Sequence, residues 1–204
     1  MRASLCVLLL AGFPLIAAAV HPHQLRLEYR DNPLGIDVTV PRFSWLVTSS
    51  HPKARGLHQT AYRILVATSE RALRAGSGDL WDSGKVASAD SAQIVYAGKP
   101  LASRAAAFWK VKVWDQRGKA SEWSAPAEWC MGLLRPEDWQ AAWIGRDEPA
   151  GSQPPDHRLP ARYLRTEFAV DKPVRRAMVY YSGLGLSELY LNGAKVGDHV
   201  LSPG

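Results

Sequence analysis

Two places in this 204-residue sequence gather carboxylates: Glu137 beside Asp138, and Asp147 beside Glu148. A pair of acids is the minimal equipment for giving a proton to one side of a reacting bond and taking one from the other. Direct adjacency works against that use, because neighbours on a strand point to opposite faces and neighbours on a loop are solvated. The six histidines are His21, His23, His51, His58, His157 and His199, and none stands four residues from another on a helical pattern. His21 and His23 form an H-x-H that suits a metal ion, but they fall at the expected mature N-terminus, where an untethered end frays. Gly76 and Gly78 follow a short helical pattern instead of opening one, so they make no phosphate cradle. Ser182-Gly183 lies outside a G-x-S-x-G elbow, and Cys130 has no identifiable histidine partner. The sequence therefore offers no catalytic residue, no metal set and no cofactor motif, and it identifies no substrate-contacting residue.

The elements that would position any such group are read from periodicity. Arg2, the apolar run Leu5 to Ile16 and the small residues Ala17-Ala18-Ala19 fit a secretory signal over residues 1–19. The run is shorter than the roughly 20 residues that span a bilayer, and it contains Pro14. A secreted or periplasmic protein with no membrane attachment after cleavage is expected. Cleavage removes Cys6 and leaves Cys130 alone, so no internal disulfide forms. The chain carries a net charge of +6, but its basic residues are scattered along the sequence, which argues against nucleic acid. Lys110 and Lys112 read as the solvated face of a strand.

Short apolar segments alternate with turn residues, and long 3.6-residue patterns are missing, which predicts an all-β fold. In "AYRILVAT", Ala61, Arg63, Leu65 and Ala67 share one face, with Tyr62, Ile64 and Val66 on the other. Ser69 is placed to cap a short helix "ERALRA" that Gly76 ends. In "FWKVKVWDQRG", Trp109, Val111 and Val113 oppose Phe108, Lys110, Lys112 and Trp114, and Asp115 to Gly118 turns the chain. All eight tryptophans lie between Trp45 and Trp143. Core packing accounts for Trp109 better than a sugar-binding cleft does, whereas Trp114, Trp123 and Trp129 divide between core and an interface with another domain. A Pro- and Gly-rich texture after Leu133 places a domain boundary near Pro136. Beyond it, "DWQAAWIG", "YLRTEFAV" and "PVRRAMVYYSGLG" read as strands. Asn192-Gly193 reads as the type I′ turn of a hairpin.

These segments occur in an order that carries a resemblance. "DNPLGID", "PRFSW", "QTAYRILVA", "GDLWDSGKV", "WKVKVWDQRGKASEWS" and "MGLLRPEDWQAAWIG" follow one another, and the chain closes on "SELYLNGAKVGDHVLSPG". The series resembles the N-terminal region of bacterial α-L-rhamnosidases over nearly the whole mature chain. The resemblance implies a fibronectin type III-like or immunoglobulin-like β-sandwich over residues 20–135. It implies the first part of a second β-sandwich, of jelly-roll type and incomplete, over residues 136–204. It also implies a later (α/α)6 barrel that removes terminal α-L-rhamnose from glycosides with inversion, using two carboxyl groups separated by roughly 6.5–9.5 Å. No catalytic residue of that barrel can be carried onto this sequence. Trp109 stands where many fibronectin-like domains carry a corner tyrosine, and indole has a single donor. The expected role is a non-catalytic scaffold whose partners are the barrel of the same polypeptide and, through it, rhamnose-containing glycosides. The alternative is a stand-alone secreted carbohydrate-binding or adhesion module.

Overall fold

The computed structural model describes residues 20–51, 55–145 and 161–198. The expected signal segment, and the acids Asp147 and Glu148, lie outside the described residues, as do His157 and His199. The chain divides into two compact units, residues 1–142 and 143–204. Among the described residues strands dominate, and the one α-helix is five residues long. None of the described helices is long and apolar enough to cross a membrane.

The first unit holds two antiparallel sheets. One orders β1 (Val20–Leu27), β2 (Arg42–Ser49) and β5 (Ile94–Val95) as β1-β2-β5. The other orders β4 (Trp81–Asp82), β3 (Gln59–Ala67), β6 (Ala106–Asp115) and β7 (Ala127–Cys130) as β4-β3-β6-β7. Side chains alternate across a strand, so each sheet presents one apolar face inward. β6 shows this most plainly: Ala107, Trp109, Val111, Val113 and Asp115 are buried, and the residues between them are half-buried. Register places Tyr62 opposite Val113, Ile64 opposite Val111 and Val66 opposite Trp109, so β3 and β6 line the same core.

Phe43 sits at the centre of that core, fully buried, with its ring 4.5 Å from Trp109, 5.7 Å from Trp129, 5.9 Å from Trp81 and 6.1 Å from Tyr96. The tilted and edge-on arrangements are those that ring quadrupoles favour. Trp129 is thus core, which resolves the open choice at that position, whereas Trp114 and Trp123 are half-buried on the outward face of the second sheet. Trp109 packs inward as expected.

β3 is buried on both faces, more than its alternation implies. The helix α1 (Glu70–Arg74) explains the second face. Ser69 Oγ accepts from the Ala72 amide at 3.2 Å, which caps the helix as the sequence predicts, and Leu73 then covers Leu65 and Ala67. Asp115 also performs the turn expected of it: its carboxylate accepts from the amides of Arg117 at 2.9 Å and Lys119 at 2.8 Å, and Gly118 takes a positive φ of 75°.

The N-terminal reading needs correction. His21 and His23 are not on a frayed end, because they lie in β1 and pair with Thr48 and Leu46 of β2. The strand is hard to see in sequence because a bulge between His23 and Arg26, with Gln24 at φ 48°, breaks the alternation.

In the second unit β8 (Tyr190–Leu191) and β9 (Ala194–Lys195) form the predicted hairpin. Asn192 (φ 50°) and Gly193 (φ 80°) supply the two positive angles of the type I′ turn. The strands expected in "DWQAAWIG", "YLRTEFAV" and "PVRRAMVYYSGLG" are not formed among the described residues. Period-two alternation identifies a face that can be buried, but a strand also requires a neighbour to exchange backbone hydrogen bonds, and these segments have no ladder partner there. Phe168, Val170 and Val179 are accordingly exposed.

Candidate functional site

The adjacent acids Glu137 and Asp138 fall in a single 3-10 turn, Pro136–Asp138. Asp138 accepts from the Ser103 hydroxyl, from the Arg135 amide at 3.1 Å and from the Arg135 guanidinium at 3.1 Å. Ser103 Oγ accepts in turn from the Leu134 amide at 3.0 Å, and Arg104 donates to the Asp138 carbonyl at 2.9 Å. The Ser103 hydrogen bond, followed by that of Arg135, holds the Asp138 carboxyl below its ordinary range. A carboxylate so engaged is ionised and fully occupied at neutral pH, which suits a clasp and not a proton donor. Glu137 is exposed and lies 3.7 Å from Arg135.

The remaining candidates are dispersed. His21 and His23 share the outer face of β1, while the His58 ring contacts the Gly56 carbonyl at 3.2 Å. Cys130 is buried, with its thiol directed to the Met131 carbonyl at 3.4 Å. Ser182 is exposed on irregular backbone. Among the described residues no group of three or more His, Cys, Asp or Glu side chains could hold a metal ion.

What the fold does bring together is a row of cations and rings on the outward face of the second sheet. Register sets Arg63 opposite Lys112 and Leu65 opposite both Lys110 and Asp82. Around the Trp123 ring stand Lys110 Nζ at 4.8 Å, Lys112 Nζ at 4.9 Å and the Arg63 guanidinium at 6.0 Å from its centre. Lys85 Nζ lies 4.7 Å from the centre of the Trp114 ring. Arg63 forms a two-pronged pair with Asp82, at 2.9 and 2.6 Å. Desolvation, and then the neighbouring Lys112 charge, push the Lys110 ammonium below its ordinary value. Lys110 and Lys112, which alternation alone marks as a solvated strand face, are half-buried against Trp123. Strand register joins Lys112 to Arg63, and loop placement brings Lys85 and Trp123 to the same face; spacing along the chain reveals neither.

A second cluster borders the first sheet. Arg42 forms a two-pronged pair with Glu28 at 3.0 and 2.7 Å and stands 5.6 Å from the centre of the Tyr29 ring. That hydrogen bond holds the Glu28 carboxyl below its usual value.

The model of the Rha78A-like, N-terminal immunoglobulin domain matches residues 22–135, more than half of the chain. The chain belongs to that family. The α-L-rhamnosidase N-terminal domain matches residues 172–204, so both matched portions are N-terminal rhamnosidase modules. An α-L-rhamnosidase of Formosa agariphila is 38% identical over 193 residues, which cover 87% of this chain and 20% of the relative. The solved α-L-rhamnosidase of Dictyoglumus thermophilum superposes with a TM-score of 0.74 at 34% identity, covering 90% of this chain and 21% of that one. The solved Streptomyces avermitilis α-L-rhamnosidase, complexed with L-rhamnose, gives a TM-score of 0.59 at 45% identity over 64% of this chain and 12% of that one. The rhamnosidase N-terminal region represented here thus spans about a fifth of the length of the curated relatives it matches.

Proposed function

We propose that this chain is the non-catalytic, exported scaffold of an α-L-rhamnosidase, and that the parent polypeptide removes terminal α-L-rhamnose from glycosides through a separate catalytic domain. The observation that carries this reading is the alignment with only 12–21% of the length of the relatives described above, in modules described as N-terminal. The placement of the acids supports it, since Asp138 is engaged by Ser103 and Arg135 and Asp82 by Arg63. A rigid aromatic core also suits a brace, because packing around Phe43 holds the two sheets in one arrangement. Large apolar side chains left outside that core, among them Tyr29, Leu34, Val40 and Leu46, provide surface for the rest of the polypeptide to cover. Sequencing the gene past codon 204 tests the reading. An uninterrupted frame that encodes a helical repeat supports it, and an immediate stop codon supports an independent secreted binding module instead.

A further inference from the structure

We infer that the outward face of the second sheet, around Trp123 and Trp114, binds a carboxylate-bearing saccharide. Charge supplies the first argument. Arg63 is neutralised by Asp82, but among the described residues Lys85, Lys110 and Lys112 have no carboxylate within ion-pair distance. Lys110 and Lys112, held around one indole ring, repel each other, and an incoming anion relieves that repulsion. Lys110 donates to the Leu73 carbonyl at 2.6 Å, which fixes its position and leaves two N–H groups for a ligand. Half-burial of Lys110 and Lys112 limits their rotamer freedom, so less order must be gained on binding.

The rings supply the second argument. Lys85 Nζ rests against the half-buried Trp114 ring and Lys112 Nζ against the half-buried Trp123 ring; a carboxylate that draws these ammonium groups off uncovers indole surface, which receives the apolar C–H face of a pyranose. An acidic peptide would satisfy the lysines without needing the rings. A carboxylate is the favoured anion because this face already seats one, Asp82 against Arg63. The saccharide half of the inference rests on the proposed function as part of a rhamnoside-processing enzyme; the charge half does not.

The test is affinity electrophoresis of the whole chain through gels containing polygalacturonate, dextran, dextran sulfate or poly-glutamate. Expected is retardation by polygalacturonate and not by dextran, fading as salt is raised. Binding should weaken about tenfold in the Lys85→Gln/Lys112→Gln double variant and again in Trp123→Leu, each with an unchanged near-ultraviolet circular dichroism spectrum. If Trp123→Leu loses its fold, Trp114→Leu replaces it with the same expectation. Migration unaffected by polygalacturonate, retardation by dextran sulfate alone, or equal retardation by poly-glutamate that ignores the indole substitution would each overturn the inference. Because the readout is binding, its failure is distinct from a failure of the scaffold reading, which turns on the reading frame past codon 204 and on hydrolysis.

Discussion

The indole N–H of Trp45 donates to Oε1 of Gln59 at 2.9 Å, and both side chains are buried. The Gln59 amide continues the connection by donating to the carbonyls of Asp90 at 2.7 Å and Ser88 at 3.3 Å. One side chain thereby ties β2, β3 and the 88–90 loop together across the end of the sandwich. Replacing Gln59 by Leu removes the acceptor of a buried indole donor and the donor to two loop carbonyls, at a cost of ~1–3 kcal/mol. Urea unfolding should show a lower midpoint with an unchanged slope.

Removal of the central ring is predicted to cost more. Phe43 contacts four other aromatic rings and is closed to solvent. Phe43→Ala should destabilise the first unit by ~3–5 kcal/mol, because both transfer energy and close contacts are lost. Thermal unfolding followed by tryptophan fluorescence checks this.

Acid should weaken the first unit through its paired carboxylates. Glu28, Asp79, Asp82 and Asp138 are all held below their ordinary values, chiefly by hydrogen bonds from Arg42, Thr68, Arg63 and Ser103 respectively. A lowered folded pKa gives stability that is fully present above the ordinary value, 4.5 for Glu28, and disappears as the pH falls from there through the folded value. Arg42→Gln should therefore be less stable than the parent chain at pH 7, and the gap should close progressively below pH 4.5. Denaturation midpoints measured across that interval give the result directly.

Backbone protection should differ between the units. In residues 161–198 the main-chain hydrogen bonds include those of the β8–β9 hairpin and the Val196 amide to the Leu189 carbonyl at 2.8 Å, with no long ladder among the described residues. Amides there should exchange faster than those of β3 and β6, whose ladder runs from Gln59–Asp115 to Ala67–Phe108. Equal protection in hydrogen exchange would contradict this.

How much of the molecule was legible from sequence depended on the range of the interaction. β6, the Ser69 cap, the Asp115 turn and the Asn192-Gly193 hairpin are local patterns, and each formed as read. β1 was missed because Gln24 interrupts its alternation. The segments around Phe168 and Val179 have strand-like alternation but no ladder partner among the described residues. The Asp138 clasp reaches back to Ser103, and the Trp123 face joins residues 63, 85 and 112, so both depend on tertiary placement that no short window contains.

Turnover measured on the purified chain is the most direct test of its role. Incubated with a chromogenic α-L-rhamnoside, it should release no rhamnose above the buffer rate, with a folded state verified by circular dichroism. Hydrolysis that disappears when one of its own carboxylates is neutralised, as in Asp138→Asn, would contradict the scaffold account.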